Sequence, residues 1–201
     1  MDIERCAQRE EEKGMTTLWH RISEGYKRWR HTRGYGVHSP YGYRLVKRVF
    51  HPQKGYSFYG EEELRLSLSS DTSREVFCNS LQLLRLATEL NVQSAYLPAN
   101  TYGLYRNALR EARSTIHITS IASEMKDCEL VCIKGDETPL RVLSGLLSET
   151  TVRGLVLHHP PKEWPDELFA SLKEGVMFRG CRNTVIIPRV GIQKVSYTLS
   201  I

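Results

Sequence analysis

Apolar residues recur along this chain with two different spacings, and the change between them divides the sequence. Up to about residue 90 the spacing is mostly three or four residues, which is typical of helices. After Asn91 short apolar runs alternate with helical stretches, which is the rhythm of strand–helix–strand units. We therefore expect a polar, flexible tail over 1–15, a helical N-terminal extension or lid over 16–90, and an α/β domain over 91–201.

Two helix starts in the extension are indicated by capping residues. Ser39 followed by Pro40 fits a helix start, because the hydroxyl accepts from free amides and proline lacks only an amide that the first turn does not use. A second cap at Asp71 or Ser73 begins a long helix, and Asn91 is a suitable left-handed terminator. The helices predicted in this part cover 16–33, 40–50, 61–68 and 73–90.

The second half predicts short apolar strands separated by helices. Such runs are typical of parallel strands that helices bury on both faces, so the expected fold class is α/β, with a sheet between two layers of helices. At the end of the chain two strands surround a turn at Arg189–Gly191, which predicts an antiparallel hairpin. The other predicted strands are 92–97, 114–121, 128–133 and 154–159, and the predicted helices are 101–113, 138–149 and 165–175.

Four stretches of this sequence carry a resemblance to a known family. The run GYGVHSPYGYRLV (34–46) resembles the N-terminal signature, roughly HGxHSPFVFxLV, of bacterial proteins similar to class I S-adenosylmethionine-dependent methyltransferases. ELVCIKGDET (129–138) is similar to that family's fourth strand and turn, LVLHHPPKEW (155–164) to its fifth strand, and RVGIQKVSYTLSI (189–201) to its closing hairpin. The resemblance implies a Rossmann-like, methyltransferase-like three-layer sandwich that binds S-adenosylmethionine at the carboxyl ends of the first strands.

The cofactor positions that the resemblance implies are occupied by unusual residues. The turn after the first strand reads YLPANTYG, and only Gly103 supplies the flexibility that lets a backbone approach a ligand closely. Glu124, three residues beyond the second strand, is the acid available for ribose hydroxyls. These departures predict weak or lost cofactor binding. The residues assigned to the cofactor are Tyr96, Pro98, Asn100, Gly103 and Glu124.

The sheet is also predicted to be shortened. About six residues, ASEMKD, separate the second strand from the strand at 128–133, where the family has a helix, a third strand and a second helix. A βαβ crossover needs at least about 10–12 residues. Either STIHITSI (114–121) is the third strand, or a block of the fold has been lost.

Three residues at strand ends are candidates for catalysis: His158, His159 and Asp136. The two histidines end a buried strand, where α/β sheets place active sites, and a histidine there is suited to act as a general base. Neighbouring strand residues face opposite sides of a sheet, which argues against chelation of one metal ion. The alternatives are a structural or solvated histidine pair and, for Asp136, an ordinary turn residue.

The segment around His38, Ser39 and Tyr41 has two readings. One is a capping motif that starts a helix, and the other is a lid that borders a substrate site. The sequence contains no GxSxG elbow that would make Ser39 a hydrolase nucleophile.

Positive charge is concentrated in one segment. Residues 16–54 contain nine Lys and Arg against one Glu, together with seven of the 18 aromatic residues. This composition suits nucleic-acid binding through phosphates and stacked bases. The same residues also fit packing against the sheet with a solvated basic face, or attraction of an anionic small substrate.

The remaining composition indicates a protein of the cytoplasm without a metal site. The five cysteines are irregularly spaced and are expected to be reduced; Cys128 and Cys132 are predicted on one face of a buried strand. No apolar run approaches the length of a membrane span, so no membrane partner is expected.

Three functions follow. The favoured one is a divergent methyltransferase-like protein that has lost cofactor affinity and binds a small molecule or a protein. The alternatives are an active methyltransferase and a nucleic-acid-associated protein that uses segment 16–54.

Overall fold

The computed structural model describes residues 23, 25–26, 29–30, 37–52, 58–67, 72–101, 103–135 and 137–199. The predicted tail, most of the predicted first helix, much of the basic segment and the candidate residue Asp136 lie outside the described residues.

Helices and strands occur in the order that the apolar spacing predicts, except for the strand at 175–179 and the 3₁₀ helix at 122–127, which were not predicted. The helices are α1 (Pro40–Leu45, continued by a π-helical turn Val46–Phe50), α2 (Glu61–Leu66), α3 (Arg74–Glu89), α4 (Gly103–Ala112), the 3₁₀ helix Ala122–Asp127, α5 (Leu140–Leu146) and α6 (Trp164–Ser171). The strands are β1 (Ser94–Tyr96), β2 (His117–Thr119), β3 (Leu130–Lys134), β4 (Gly154–His158), β5 (Gly175–Arg179), β6 (Asn183–Pro188) and β7 (Val195–Thr198).

The predicted capping residues do what their chemistry suggests. The Gly42 amide donates to Ser39 Oγ at 3.2 Å and Pro40 occupies the first turn of α1. The Val76 amide donates to Ser73 Oγ at 3.2 Å at the start of α3. Asn91 follows α3 with a φ of 52°. The interpretation of Ser39 as a helix cap is therefore confirmed.

The described strands form one mixed sheet in the order β2-β1-β3-β4-β6-β5-β7. The first four positions are parallel to one another, β6 is antiparallel to both of its neighbours, and β5 pairs with β7 in parallel. The chain leaves β1 toward β2 on one side and returns to β3 on the other. The strand order therefore reverses between β1 and β3, at the kind of switch point where open α/β sheets bind ligands.

Helices cover both faces of the sheet, so the α/β class is confirmed. Alternate strand residues enter two separate clusters, as the twofold period of a strand requires. In β3, Leu130 and Cys132 join the cluster that also contains residues of α1, α3 and α4. Val131 and Ile133 join the opposite cluster, with residues of α5, α6 and the 3₁₀ helix.

The predicted C-terminal hairpin is wrong. β6 and β7, which flank the turn at Arg189–Gly191, do not pair with each other, because β5 lies between them. The antiparallel hairpin consists of β5 and β6, and β7 crosses over to pair with β5 in parallel. β5 was missed because its residues 175–179 follow directly on a predicted helix whose actual end is Ser171.

The short connection after β2 is a single 3₁₀ helix. It leads from the edge strand across β1 to β3, and Met125 anchors it to the sheet by burial beside Tyr96 and Val131. STIHITSI therefore holds the position next to β1, and no further strand lies outside it in the described chain.

Part of the predicted helical extension belongs to the core of the sheet domain. Leu45, Val49 and Phe50 pack in the same cluster as Leu86 of α3 and Phe178 of β5. Within the described ranges, every helix is too short or too polar to cross a membrane.

Candidate functional site

A cavity of about 100 Å³ lies at the carboxyl end of the parallel strands, on the face covered by α3 and α4. It is bordered by the switch point between β1 and β3 and by the end of β4. The lining residues are Ser73, Glu75, Val76 and Asn79 of the α3 region, Pro98, Thr101 and Tyr105 after β1, Cys132, Ile133 and Lys134 of β3, and His158 and His159.

Register brings three polar residues of three strands into one row at this edge. Lys134 of β3 lies beside His158 of β4, and His158 lies opposite Asn183 of β6. Lys134 is exposed, whereas His158 and Asn183 are 6% and 4% exposed. Buried polar groups of this kind are normally paired with hydrogen-bond partners.

The partners form a chain of three hydrogen bonds. His158 Nδ1 lies 3.0 Å from Asn183 Oδ1. Asn183 Nδ2 donates to Asn79 Oδ1 at 2.7 Å, and Asn79 Nδ2 donates to Tyr105 Oη at 3.2 Å. We refer to His158, Asn183, Asn79 and Tyr105 as the amide relay. It connects β4, β6, α3 and α4 across the back of the cavity.

The relay fixes the tautomer of His158. An amide oxygen accepts only, so Nδ1 must carry the proton that it shares with Asn183 Oδ1. Burial lowers the pKa of His158, with help from nearby His159 and Lys134 and against the bond to Asn183, so the ring is neutral near pH 7. Nε2 is then a pure acceptor, and it is buried without a hydrogen-bond partner among the described residues.

Tyr105 holds the ring from one side. The rings of Tyr105 and His158 lie 5.1 Å apart between centroids and are inclined by 34°. This tilted contact and the bond to Asn183 together restrict rotation of the imidazole.

His159 turns the chain toward α3 instead of continuing the strand. Its φ is 53°, in the left-handed region that histidine enters more readily than most residues. Its Nε2 contacts Glu75 Oε1 at 2.6 Å, so it lies at the same cavity as His158. The expectation that the two histidines face opposite sides of the sheet is wrong, because His159 has already left the strand.

Glu75 joins three elements at the rim of the cavity. It contacts His159 after β4 and Arg182 after β5, and it belongs to the first turn of α3. Burial raises the pKa of Glu75, but hydrogen bonds from Arg182 and His159 outweigh this effect and lower it. The carboxylate therefore stays ionised and holds α3 against the strand ends.

Of the residues predicted to contact a cofactor, only Pro98 lines the cavity. Tyr96 is buried on the opposite face of the sheet. Asn100 is exposed and its Nδ2 donates to Glu137 Oε1 at 2.9 Å. Gly103 is exposed at the start of α4, and Glu124 Oε2 accepts from Thr119 Oγ1 at 2.6 Å beyond the cavity.

The predicted lid residues lie elsewhere. His38, Ser39 and Tyr41 line a second cavity together with residues 191–193 and 195–197 at β7, the edge strand opposite β2. The Ser39 amide donates to Tyr197 Oη at 3.4 Å. The second cavity has no lining residue in common with the cavity at His158.

The cysteine prediction is partly wrong. Cys128 and Cys132 are buried, but they pack on opposite faces of the sheet, because Cys128 precedes β3 and ends the 3₁₀ helix. Burial raises the pKa of both thiols, that of Cys128 to about 11, so neither is a thiolate near neutral pH. Within the described ranges, no three His, Cys, Asp or Glu residues are grouped as metal ligands.

Sequence reasoning missed Asn79, Asn183 and Tyr105. One signal for Asn79 was available, since an amide on the apolar stripe of a helix needs a buried partner. Asn79 and Asn183 are 104 positions apart, and nothing local to either one identifies the other.

The cavity is small for a nucleoside cofactor. Small-molecule sites enclose roughly 300–1,000 Å³, against about 100 Å³ here. Pro98 is buried in the turn where a cofactor would need a glycine's freedom of approach.

Comparison of the chain with protein-family models, with curated proteins and with solved structures finds no match.

Proposed function

We propose that this protein is a divergent relative of the class I S-adenosylmethionine-dependent methyltransferases that has lost cofactor binding. In place of the cofactor it binds a small molecule at the carboxyl edge of the sheet. The observation that carries the proposal is the small cavity at the switch point, whose lining includes a buried histidine nitrogen without a hydrogen-bond partner in the part of the chain that the structure describes.

The strand order supports the family assignment. The doubly wound sheet has the strand order 3-2-1-4-5-6, numbered along the chain. Here β2, β1, β3 and β4 lie side by side in the arrangement of strands 2, 1, 4 and 5 of that sheet, and strand 3 has no counterpart in the described chain. Omission of a third strand agrees with the short connection after β2. A Rossmann-like sheet that has lost this strand also loses one wall of the region where a nucleoside would bind.

The residues at the strand ends support the loss of the cofactor. Glu124, the acid expected at the ribose, is bound to Thr119 and does not line the cavity. The fourth-strand pattern of the family, roughly D-x-V-F-I-D-G-x-H, corresponds to ELVCIKGDE in this chain, and its second aspartate is replaced by Lys134. The residues present therefore do not fit S-adenosylmethionine, and we assign no methyl transfer to His158 or His159.

The proposal is tested by titrating S-adenosylmethionine and S-adenosylhomocysteine into the purified full chain. We expect no heat in calorimetry and no thermal shift at millimolar concentration of either compound. Micromolar affinity would refute the loss of the cofactor and favour an active methyltransferase. Amide resonances of Asn100 and Gly103 in a ¹⁵N-labelled sample report on the cofactor region directly, and they should not move.

A further inference from the structure

We propose that the cavity at His158 is a binding site for a small, uncharged molecule that donates a hydrogen bond to His158 Nε2, such as a primary amide or an alcohol. This inference rests on the proposed function, because a cofactor bound at the strand ends would compete for the same space.

The amide relay determines which kind of group fits. Every proton in it points away from His158: the ring donates to Asn183, Asn183 donates to Asn79, and Asn79 donates to Tyr105. With the amides of Asn183 and Asn79 oriented as they are, the other ring tautomer would set a lone pair of Nδ1 against the lone pairs of Asn183 Oδ1 and lose this hydrogen bond. Nε2 therefore offers a lone pair and no proton, and a ligand must bring the donor.

Burial makes the missing partner significant. His158 is 6% exposed, and Nε2 has no partner among the described residues. Buried acceptors are normally satisfied, and an unsatisfied one destabilises the fold. A donor supplied by a ligand relieves that penalty, whereas an apolar molecule of the same size does not.

The surrounding residues favour an uncharged ligand. Val76, Pro98, Cys132 and Ile133 contribute largely apolar atoms to the lining. An ion without a close counter-charge is costly in such surroundings. Of the charged residues in the lining, Glu75 is already paired with His159 and Arg182, and Lys134 is exposed to solvent.

The size of the cavity limits the ligand to a few heavy atoms. About 100 Å³ is enough for a molecule such as acetamide and too little for a nucleoside. A larger substrate fits only if a similarly small group at one end enters the cavity and the rest lies outside the rim at Glu75 and His159.

Three probes of equal size separate the alternatives. Acetamide donates a hydrogen bond, acetone has the same shape and accepts only, and acetate is an anion. Each is titrated into the ¹⁵N-labelled full chain while the amide signals of Tyr105, Cys132 and Lys134 and the imidazole nitrogens of His158 are followed. We expect saturable shifts with acetamide and about tenfold weaker binding of acetone and acetate.

Three variants test where the probes bind: one removes Nε2, one is its control and one changes the lining of the cavity. His158→Asn keeps a donor at the δ position for Asn183 and removes Nε2, so the preference for acetamide over acetone should disappear. His117→Asn is the matched control, because His117 is exposed on β2 and does not line the cavity. Thr101→Trp places a large side chain in the lining of the cavity. It should abolish binding of acetamide and acetone although His158 is unchanged.

Equal affinity for acetamide and acetone, a preference that persists in His158→Asn, or no response to acetamide would overturn this inference. The last result would mean that Nε2 is served by water alone. None of these outcomes depends on S-adenosylhomocysteine, whose binding would instead refute the proposed function. Displacement of acetamide by micromolar S-adenosylhomocysteine would refute the proposed function and leave the donor preference standing.

Discussion

His158 and Asn183 lie directly opposite each other on antiparallel strands, and their side chains share one buried hydrogen bond of 3.0 Å. Opposed residues of an antiparallel pair face the same side of the sheet, so the register itself brings imidazole and amide together. Asn183 is also the link to Asn79 of α3. The pair therefore joins the cavity floor to the helix that covers it.

Replacement of Asn183 by Ala should destabilise the protein strongly. It leaves His158 Nδ1 and Asn79 Oδ1 buried without partners, and each such group costs about 1–3 kcal/mol. We expect the free energy of unfolding in urea to fall by about 2–4 kcal/mol. Asn100→Ala is the control, because Asn100 is exposed, and it should change stability by less than about 0.5 kcal/mol.

The relay should also behave as a unit. Once Asn183 is absent, Asn79 has already lost one partner, so the double variant Asn79→Ala, Asn183→Ala should cost about 1 kcal/mol less than the two single variants added together. Urea unfolding of the four proteins gives this coupling energy. Additive effects would show that the two amides stabilise the fold independently.

Local structure was predictable from sequence wherever local chemistry decides it. Ser39, Ser73 and Asn91 set helix ends through their own side chains or backbone; Ser39 and Asn91 were identified, and Ser73 was one of two candidates for its cap. The pairing of β7 with β5 was not identified, because β5 was not recognised as a strand and nothing local to β7 indicates its partner. Long-range pairing is decided by the packing of the whole sheet.

The candidate site divides in the same way. The position of His158 at the end of a buried strand follows from apolar spacing and the general rule for α/β sheets. The turn at His159 does not, because a left-handed histidine has no sequence signature of its own. Its contact with Glu75 joins residues 84 positions apart.

Stability should depend on the protonation of His158. Burial lowers its pKa in the folded state from the ordinary value of 6.5, so below pH 6.5 the unfolded chain takes up a proton that the folded chain refuses. The free energy of unfolding should therefore fall as the pH drops below 6.5, by up to about 1.4 kcal/mol per pH unit for one proton, and be insensitive to this group above it.

This pH dependence is measured by urea unfolding between pH 5 and pH 7.5 in wild type and in His158→Asn. Burial, Lys47 and Arg85 lower the pKa of His51 as well, so His51 contributes in the same direction, and this contribution remains in the variant. The slope below pH 6.5 should be clearly smaller in the variant. An unchanged slope would mean that His158 is protonated equally easily in both states.

The buried ion pair between α2 and α3 should be strongly coupled. Arg85 donates two hydrogen bonds to Glu61, of 2.8 and 2.9 Å, and the side chains are 11% and 7% exposed. Arg85→Met leaves a buried carboxylate without a counter-charge and should cost about 3–5 kcal/mol. In the double variant Glu61→Leu, Arg85→Met no charge remains, and most of this loss should be recovered.

Urea unfolding at pH 7 measures this cycle. Burial raises the pKa of Glu61, but hydrogen bonds from Arg85 and Phe58 outweigh this effect and lower it, so the carboxylate is ionised there. Asp166→Asn serves as the control, because Asp166 is 70% exposed in its pair with Arg179 and should cost less than about 1 kcal/mol. A double variant as unstable as Arg85→Met would contradict the ion-pair explanation.

Gly175 should be the least replaceable glycine of the sheet. Its φ is 133°, and a Cβ there would lie 2.3 Å from the carbonyl oxygen of Ile187 on the neighbouring strand. Because backbone cannot yield as a flexible side chain does, Gly175→Ala should cost more than about 3 kcal/mol or prevent folding. Gly145 of α5 is the matched control: a Cβ there meets nothing within 4 Å, so Gly145→Ala should stabilise the helix by about 0.5–1 kcal/mol. Urea unfolding of both variants tests the contrast, and a Gly175→Ala protein as stable as wild type would show that β5 does not lie against β6 in this register.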